Sequence, residues 1–268
     1  MGMPFLFKLK QPNNHISGGG YFVAYSRLPM HLAWEIFGEK NGASSFENFR
    51  NLTDPLSKDR GSQREIGCNV LANAFFLEPQ QWIADPPGWA KSIVRGKMYD
   101  SNEQDGSYIW TAIQSRIPSS DPQSVRPQGA REDREKYGAP MLVQPRLGQS
   151  SFRILVTEAY KRKCAMTGKS TLVALEAAHI VPYSGEGSHE VRNGLLLRAD
   201  FHRLFDVGLV GITQDLKIKV SPRIREAWFN GKAYYRLTDQ PLPVLPDSPL
   251  DRPDPDRLTW HLKNCFQA

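Results

Sequence analysis

At 268 residues the chain is long enough for about two domains with separate cores. A formal net charge of +6 and a pI near 9.2 favour a polyanionic partner, while three scattered cysteines, Cys68, Cys164 and Cys265, exclude a disulfide framework and the paired Cys-x-x-Cys staples of structural zinc. No run approaches the ~18 apolar residues of a membrane span, and no basic stretch followed by a long apolar region opens the chain, so a soluble, reduced, cytoplasmic protein without a membrane partner is expected.

In chain order, FLFKL (5–9) and YFVAY (21–25) are aromatic, β-prone segments joined by the turn-rich QPNNHISGGG. Ser26 to Gly38 reads as a helix: Ser26 caps it, Pro29 sits in the first turn, Leu28, Leu32 and Ile36 share a face, and Gly38 ends it. Further strands are expected at Cys68 to Leu77 and around Ile93 and Met98, with a short helix near Tyr108 to Ser115. Residues 1–115 thus read as a separate α+β domain. Its aromatics, among them Tyr21, Tyr25, Trp34, Trp82, Trp89 and Tyr99, could cage a base turned out of a duplex, or could simply be core. Trp82 and Trp89, beside proline turn signals, are the candidates for exposure, and Asp100 could accept from a cytosine amino edge. The GGG at 18–20 lacks the lysine and spacing of a phosphate loop.

Residues 116–149, with five prolines and the mixed-charge REDREK, read as an exposed linker. A helix capped by Ser150 follows, with Phe152, Leu155, Val156, Ala159 and Tyr160 in one apolar stripe. Lys161, Arg162 and Lys163 lie at its C-terminal end, where cations complement the helix dipole or meet phosphate. From 151 to 230 twelve Lys or Arg face eight Asp or Glu, so this stretch carries a positive excess suited to a polyanion.

Three of the six histidines fall within residues 172–206. Leu172 to Val181 reads as a strand ending near His179, Tyr183 to Arg192 as a polar loop containing His189, and Gly194 to Arg198 as a second strand. Asp200 can cap a helix from Phe201, on which His202 and Asp206, four apart, share a face. LVGIT and LKIKV then form a hairpin, Pro222 opens another helix, and residues 237–268 read as an arm over residues 150–236, pinned by Leu258, Trp260 and Phe266.

This order of strand, loop, strand and helix, with AAHI, Asn193 before GLLL and HRLFD, resembles the HNH nucleases, whose ββα-metal fold cuts phosphodiester bonds. The resemblance implies that His179 is the general base, that Asn193 holds the loop and orients the His179 ring, and that His202 binds a divalent metal. Ala178 stands where many relatives carry a further ligand, leaving Asp206, as in nuclease colicins, or Glu176 to supply it. One imidazole with carboxylate favours Mg²⁺ or Mn²⁺. His189 would be solvated or contact phosphate. Lys161, Arg162, Lys163, Arg192, Arg198 and Arg203 are the DNA-binding candidates.

The motifs FKLK, GGGYFV and GKMYD resemble small β-barrel domains of the PUA superfamily, in particular EVE-like modules fused to HNH domains in bacterial restriction enzymes. The expected fold is therefore α+β, a PUA-like barrel followed by a ββα-metal nuclease domain. The function implied is a metal-dependent DNA endonuclease that reads modified cytosine in double-stranded DNA and defends against phage, with a homodimer or two binding events needed to cut both strands. A nicking or repair nuclease that reads structure or damage, and an inactive nucleic-acid-binding module, remain alternatives.

Overall fold

The computed structural model describes residues 3–56, 64–90, 93, 96–116, 149–182, 188–228 and 231–268. In chain order these hold strands β1 (Pro4–Lys8) and β2 (His15–Pro29), helices α1 (Met30–Phe37) and α2 (Phe46–Thr53), strands β3 (Glu65–Phe76) and β4 (Ile83–Ala84), and helices α3 (Gln104–Gln114) and α4 (Gln149–Ala159). Then come strands β5 (Leu175–His179) and β6 (Gly194–Arg198), helix α5 (Ala199–Asp206), strands β7 (Val210–Ile212) and β8 (Ile218–Val220), and helices α6 (Arg223–Trp228), α7 (Lys232–Tyr235) and α8 (Pro255–Asn264). No helix among the described residues is long and apolar enough to cross a membrane. The linker expected before Gln149 lies, in residues 117–148, outside them.

The chain divides into two compact units, Met1–Phe22 with Leu71–Arg146, and Val23–Val70 with Leu147–Ala268. The division cuts β2 and β3, so α1 and α2 fall in the second unit rather than with the other N-terminal elements.

In the first unit β1 pairs antiparallel with β2, β3 also pairs with β2, and the two-residue β4 joins β2 at His15 and Ile16. Among the described residues this sheet is open, and the expected closed barrel is not formed. The stretch expected as a turn-rich loop from Gln11 to Gly20 is strand from His15 onward. The glycines serve close strand approach instead: a Cβ at Gly18 would lie 2.5 Å from the Phe75 carbonyl oxygen, and one at Gly19 2.6 Å from that of Phe5. Ile16, Leu77, Ile83, Ile109 and Ile113 form the core, with Trp82 and Tyr99 packed on its edge. Ile93 and Met98 carry no strand.

In the second unit Ser26 is a strand residue, not a cap: it is buried, and its hydroxyl donates to Glu158 Oε1 at 2.7 Å. The fully buried Leu28 holds the chain extended through Pro29, and the helix begins at Met30. Ser150 lies inside α4 and donates to the Ile36 carbonyl at 3.0 Å. The β5–β6 pair is antiparallel, from Leu175 opposite Arg198 to His179 opposite Gly194. Leu195, Leu196 and Leu197 of β6 are fully buried because α4 and α5 both pack on this pair. Leu172–Ala174, expected as strand, is a 3-10 turn. Helix α5 begins at Ala199, so Asp200 sits in its first turn and pairs with Arg198 rather than capping. The β7–β8 hairpin follows as expected. In the C-terminal arm Leu258 and His261 face inward, whereas Trp260, expected as a pin, is 38% exposed.

Candidate active site

His179 ends β5, where the hairpin stops and its ring can leave the sheet. That ring lies flat on Phe152 of α4, centroids 3.9 Å apart and planes 9° apart. Gly194, opposite it, leaves room for the stack, since a Cβ there would come within 3.0 Å of the Phe152 ring. His179 Nε2 is 3.1 Å from His189 Nδ1, so one of these nitrogens donates to the other. Burial, then the neighbouring His189 and His202, pull the His179 pKa down to about 4, which leaves the imidazole neutral near pH 7.

Asn193 is fully buried and ties Val181 to Ser188. Its Oδ1 accepts from Val181 N at 3.0 Å, while Nδ2 donates to the carbonyls of Val181 at 3.0 Å and Ser188 at 2.9 Å. All three bonds go to backbone. The expected bond from Asn193 to the His179 ring is not among them, and the partner of that ring is His189, expected to meet solvent or phosphate instead.

On α5, His202 and Asp206 share a face as expected from their spacing. His202 Nδ1 is 2.6 Å from Glu176 Oε2, and Nε2 is 3.4 Å from Asp206 Oδ2. The two carboxylates therefore address opposite nitrogens of one ring. Burial pushes the Asp206 carboxyl up, with His202 opposing and the Glu176 charge adding to the rise. His179, His202, Asp206, His261 and Cys265 line one cavity of about 370 Å³. Among the described residues no group of three or more His, Cys, Asp or Glu is gathered to hold a metal ion.

His261 of α8 lies outside the His179–Asn193–His202 motif. Its ring stacks on Phe205, centroids 3.7 Å apart, and its Nε2–H donates to the Phe205 carbonyl at 3.0 Å. A lone histidine on an amphipathic helix far down the chain carries no local signal of that placement.

Of the basic candidates, Lys161 pairs with Asp247, Arg162 with Glu158 and Glu65, and Arg192 with Asp254. Arg198 pairs with Asp200 and lines a different cavity, with Phe201. Lys163 and Arg203 are exposed and make no ion pair among the described residues. Of the base-pocket candidates, Trp82 donates to the Leu77 carbonyl at 3.0 Å and belongs to the core edge. Trp89 lies under Lys8 Nζ at 5.0 Å and Tyr99 under Lys97 Nζ at 4.7 Å. Tyr21 pairs with Pro4 in the sheet, and Tyr25, 56% exposed, falls in the other unit. Asp100 turns the chain locally, accepting from Asn102 N and Nδ2 at 2.9 Å.

The HNH_2 family, described as HNH endonuclease, matches residues 164–213, which hold His179, Asn193 and His202. Among solved structures the chain is similar to a modification dependent TagI restriction endonuclease, at 27% identity over 41% of this chain and 35% of that one, with a TM-score of 0.31. No curated protein matches the chain. Residues 164–213 are an HNH endonuclease domain, and the activity that such a domain carries is that of a nuclease, a hydrolase of phosphodiester bonds.

Proposed function

We propose that the chain is a divalent-metal-dependent DNA endonuclease in which His179 takes the proton of the attacking water. The observation that carries this reading is that a neutral, stacked imidazole and a carboxylate-flanked imidazole line one cavity. His179 and His189 are hydrogen-bonded to each other, so a proton gained by one ring can be shared with the second. A bound phosphodiester would raise the His179 pKa from about 4 toward the working pH, because a nearby anion favours the imidazolium.

The donor set fits a hard cation: His202 Nε2 and Asp206 lie on one face of α5, with Glu176 on the opposite ring nitrogen. His202 and Asp206 would hold the ion, and Glu176 would orient the ring, as carboxylates behind metal-bound histidines do. Mg²⁺ or Mn²⁺ there would supply charge stabilisation for the phosphate and the leaving oxygen. Asn193 ties Val181 to Ser188 so that His189 stays against His179. Lys163 and Arg203, exposed and unpaired among the described residues, are the first choice for phosphate contacts.

The same proposal extends to a modified cytosine read by the first unit and to restriction of phage DNA in the bacterial cytoplasm. It is supported there by two rings with lysines over them, Trp89 and Tyr99, and by a buried Tyr99 hydroxyl and Asp85 Oδ1 that have no hydrogen-bond partner among the described residues. Such atoms suit the edge of a polar ring. A single site cuts one strand, so double-strand cleavage calls for two copies.

The test is cutting of matched plasmids with and without modified cytosine, in Mg²⁺ or Mn²⁺, beside His179→Ala. Only the modified plasmid should be cut, and the variant should bind it yet cut at least about 10²-fold more slowly. Equal cutting of both plasmids removes modification dependence. Binding without cutting in either metal removes the nuclease reading.

A further inference from the structure

The C-terminal helix α8 lies beyond the segment that matches the endonuclease family, yet it touches both halves of the site. At its amino end Arg257 donates from Nη1 to Ser188 Oγ at 3.1 Å and from Nη2 to Glu190 Oε2 at 2.8 Å. These two residues flank His189, the partner of His179. Beside them Asp254 N donates to the Arg192 carbonyl at 3.0 Å, and the Asp254 carboxylate pairs with Arg192 at 2.7 Å.

At the other end the contacts, from His261 and from Gln267 just past the helix, reach Phe205 of α5, whose carbonyl also accepts from Gly208 N at 3.0 Å, and the two residues that follow α5. His261 donates to Phe205 O at 3.0 Å, Gln267 Nε2 to Val207 O at 2.7 Å and Gln267 N to Gly208 O at 2.8 Å. Gly208 takes φ 72°, and a Cβ there would sit 1.8 Å from the Cys265 carbonyl oxygen, so the fit allows only glycine. Asp206 is bracketed by this closure.

We propose that α8 is a clasp that sets the separation of the His179–His189 pair from His202 and Asp206, with Arg257 and His261 as its positioning residues. The proposal rests on the nuclease reading above. Arg257 and His261 are one helical turn apart, about 6 Å along the axis, so a single rigid turn links the loop of one half to the helix of the other. The Arg257–Glu190 pair is partly exposed and stabilises little by itself, and its effect is on geometry rather than on folding. Misplacement of reacting groups by about 1 Å costs on the order of 10²-fold in rate, which is the scale at which a clasp matters.

The experiment compares the full chain with its Arg257→Ala, His261→Ala and His261→Gln variants, by amide hydrogen exchange and by steady-state cleavage. Arg257→Ala should speed exchange in residues 188–193 by about 10-fold and leave 199–208 unchanged, and His261→Ala should do the reverse. Both should lower kcat by about 10- to 10²-fold with KM within about 2-fold, and His261→Gln, whose amide can still donate to Phe205 O, should recover most of it. Unchanged exchange in both segments overturns the proposal, as does a loss carried by KM. Faster exchange throughout the second unit, or failure of either alanine variant to fold, also overturns it, since α8 would then be core. If the wild-type chain does not cut DNA, the nuclease reading fails, and the exchange pattern alone decides the clasp.

Discussion

Replacing Asn193 separates loop closure from chemistry. In Asn193→Ala two buried hydrogen bonds and a part-buried third disappear, and Val181 N, Val181 O and Ser188 O lose the partner that held them. At about 1 kcal/mol net for each bond, and more for any group that water cannot reach, the variant should lose at least about 3 kcal/mol. For a domain of roughly 150–250 residues that is about 6–12 °C in Tm. Asn193→Asp is the sharper probe. It keeps an acceptor for Val181 N but sets a carboxylate oxygen against two carbonyls, which forces the acid to stay protonated in the folded state. Its folded pKa is then raised, so its stability deficit should grow as pH rises above about 4, the ordinary aspartate value. Thermal unfolding followed from pH 3 to 7, with cleavage measured beside it, reads both effects. Cleavage should fall only as far as the loop loosens. A variant that keeps the wild-type Tm and still loses all cleavage would refute the reasoning, because Asn193 would then act on the reacting groups directly.

Other outcomes follow from the same geometry. Burial holds the His179 pKa near 4, below its unfolded value, so the unfolded chain binds more protons between about pH 6.5 and 4. Wild-type Tm should therefore drop as pH falls through that window, with a shallower drop in His179→Ala; parallel curves would contradict the burial argument. Because Glu176 and Asp206 address opposite nitrogens of His202, Asp206→Asn should abolish Mn²⁺ binding in a titration, whereas Glu176→Gln should weaken it by about 10- to 10²-fold. Equal losses would mean that both carboxylates are ligands. Tyr99→Phe removes a buried hydroxyl that has no partner among the described residues, so unfolding should show unchanged or slightly raised stability while affinity for modified DNA falls. A Tm lowered by several degrees would show that the hydroxyl is satisfied within the fold.

Local pattern carried a large share of this molecule. The β5–β6–α5 order, the shared face of His202 and Asp206, and the β7–β8 hairpin depend on neighbours within a few residues, and such neighbours are visible in the chain itself. Local pattern misleads where a distant partner sets the conformation. The three glycines at 18–20 look like a turn until β1 and β3 close in on them, and Ser26 looks like a cap until Glu158 meets it in the core. The barrel implied by the resemblance of short N-terminal motifs is an open sheet among the described residues, because closure depends on which edges meet, and short motifs do not encode edges.

The catalytic candidates divide in the same way. His179, Asn193 and His202 stand out by spacing, but what each ring or amide touches was decided by packing. Asn193 turned to backbone groups of its loop, and His189 took the place beside His179 that Asn193 was expected to fill. His261 reaches the site from 56 residues beyond Phe205, across a separation at which periodicity is silent. Sequence alone determined which residues could do the chemistry, because side-chain type and short-range order are properties of the chain. Tertiary structure decided which of them meet, because a hydrogen bond or a stacked ring is a matter of a few ångströms that only the packed fold sets.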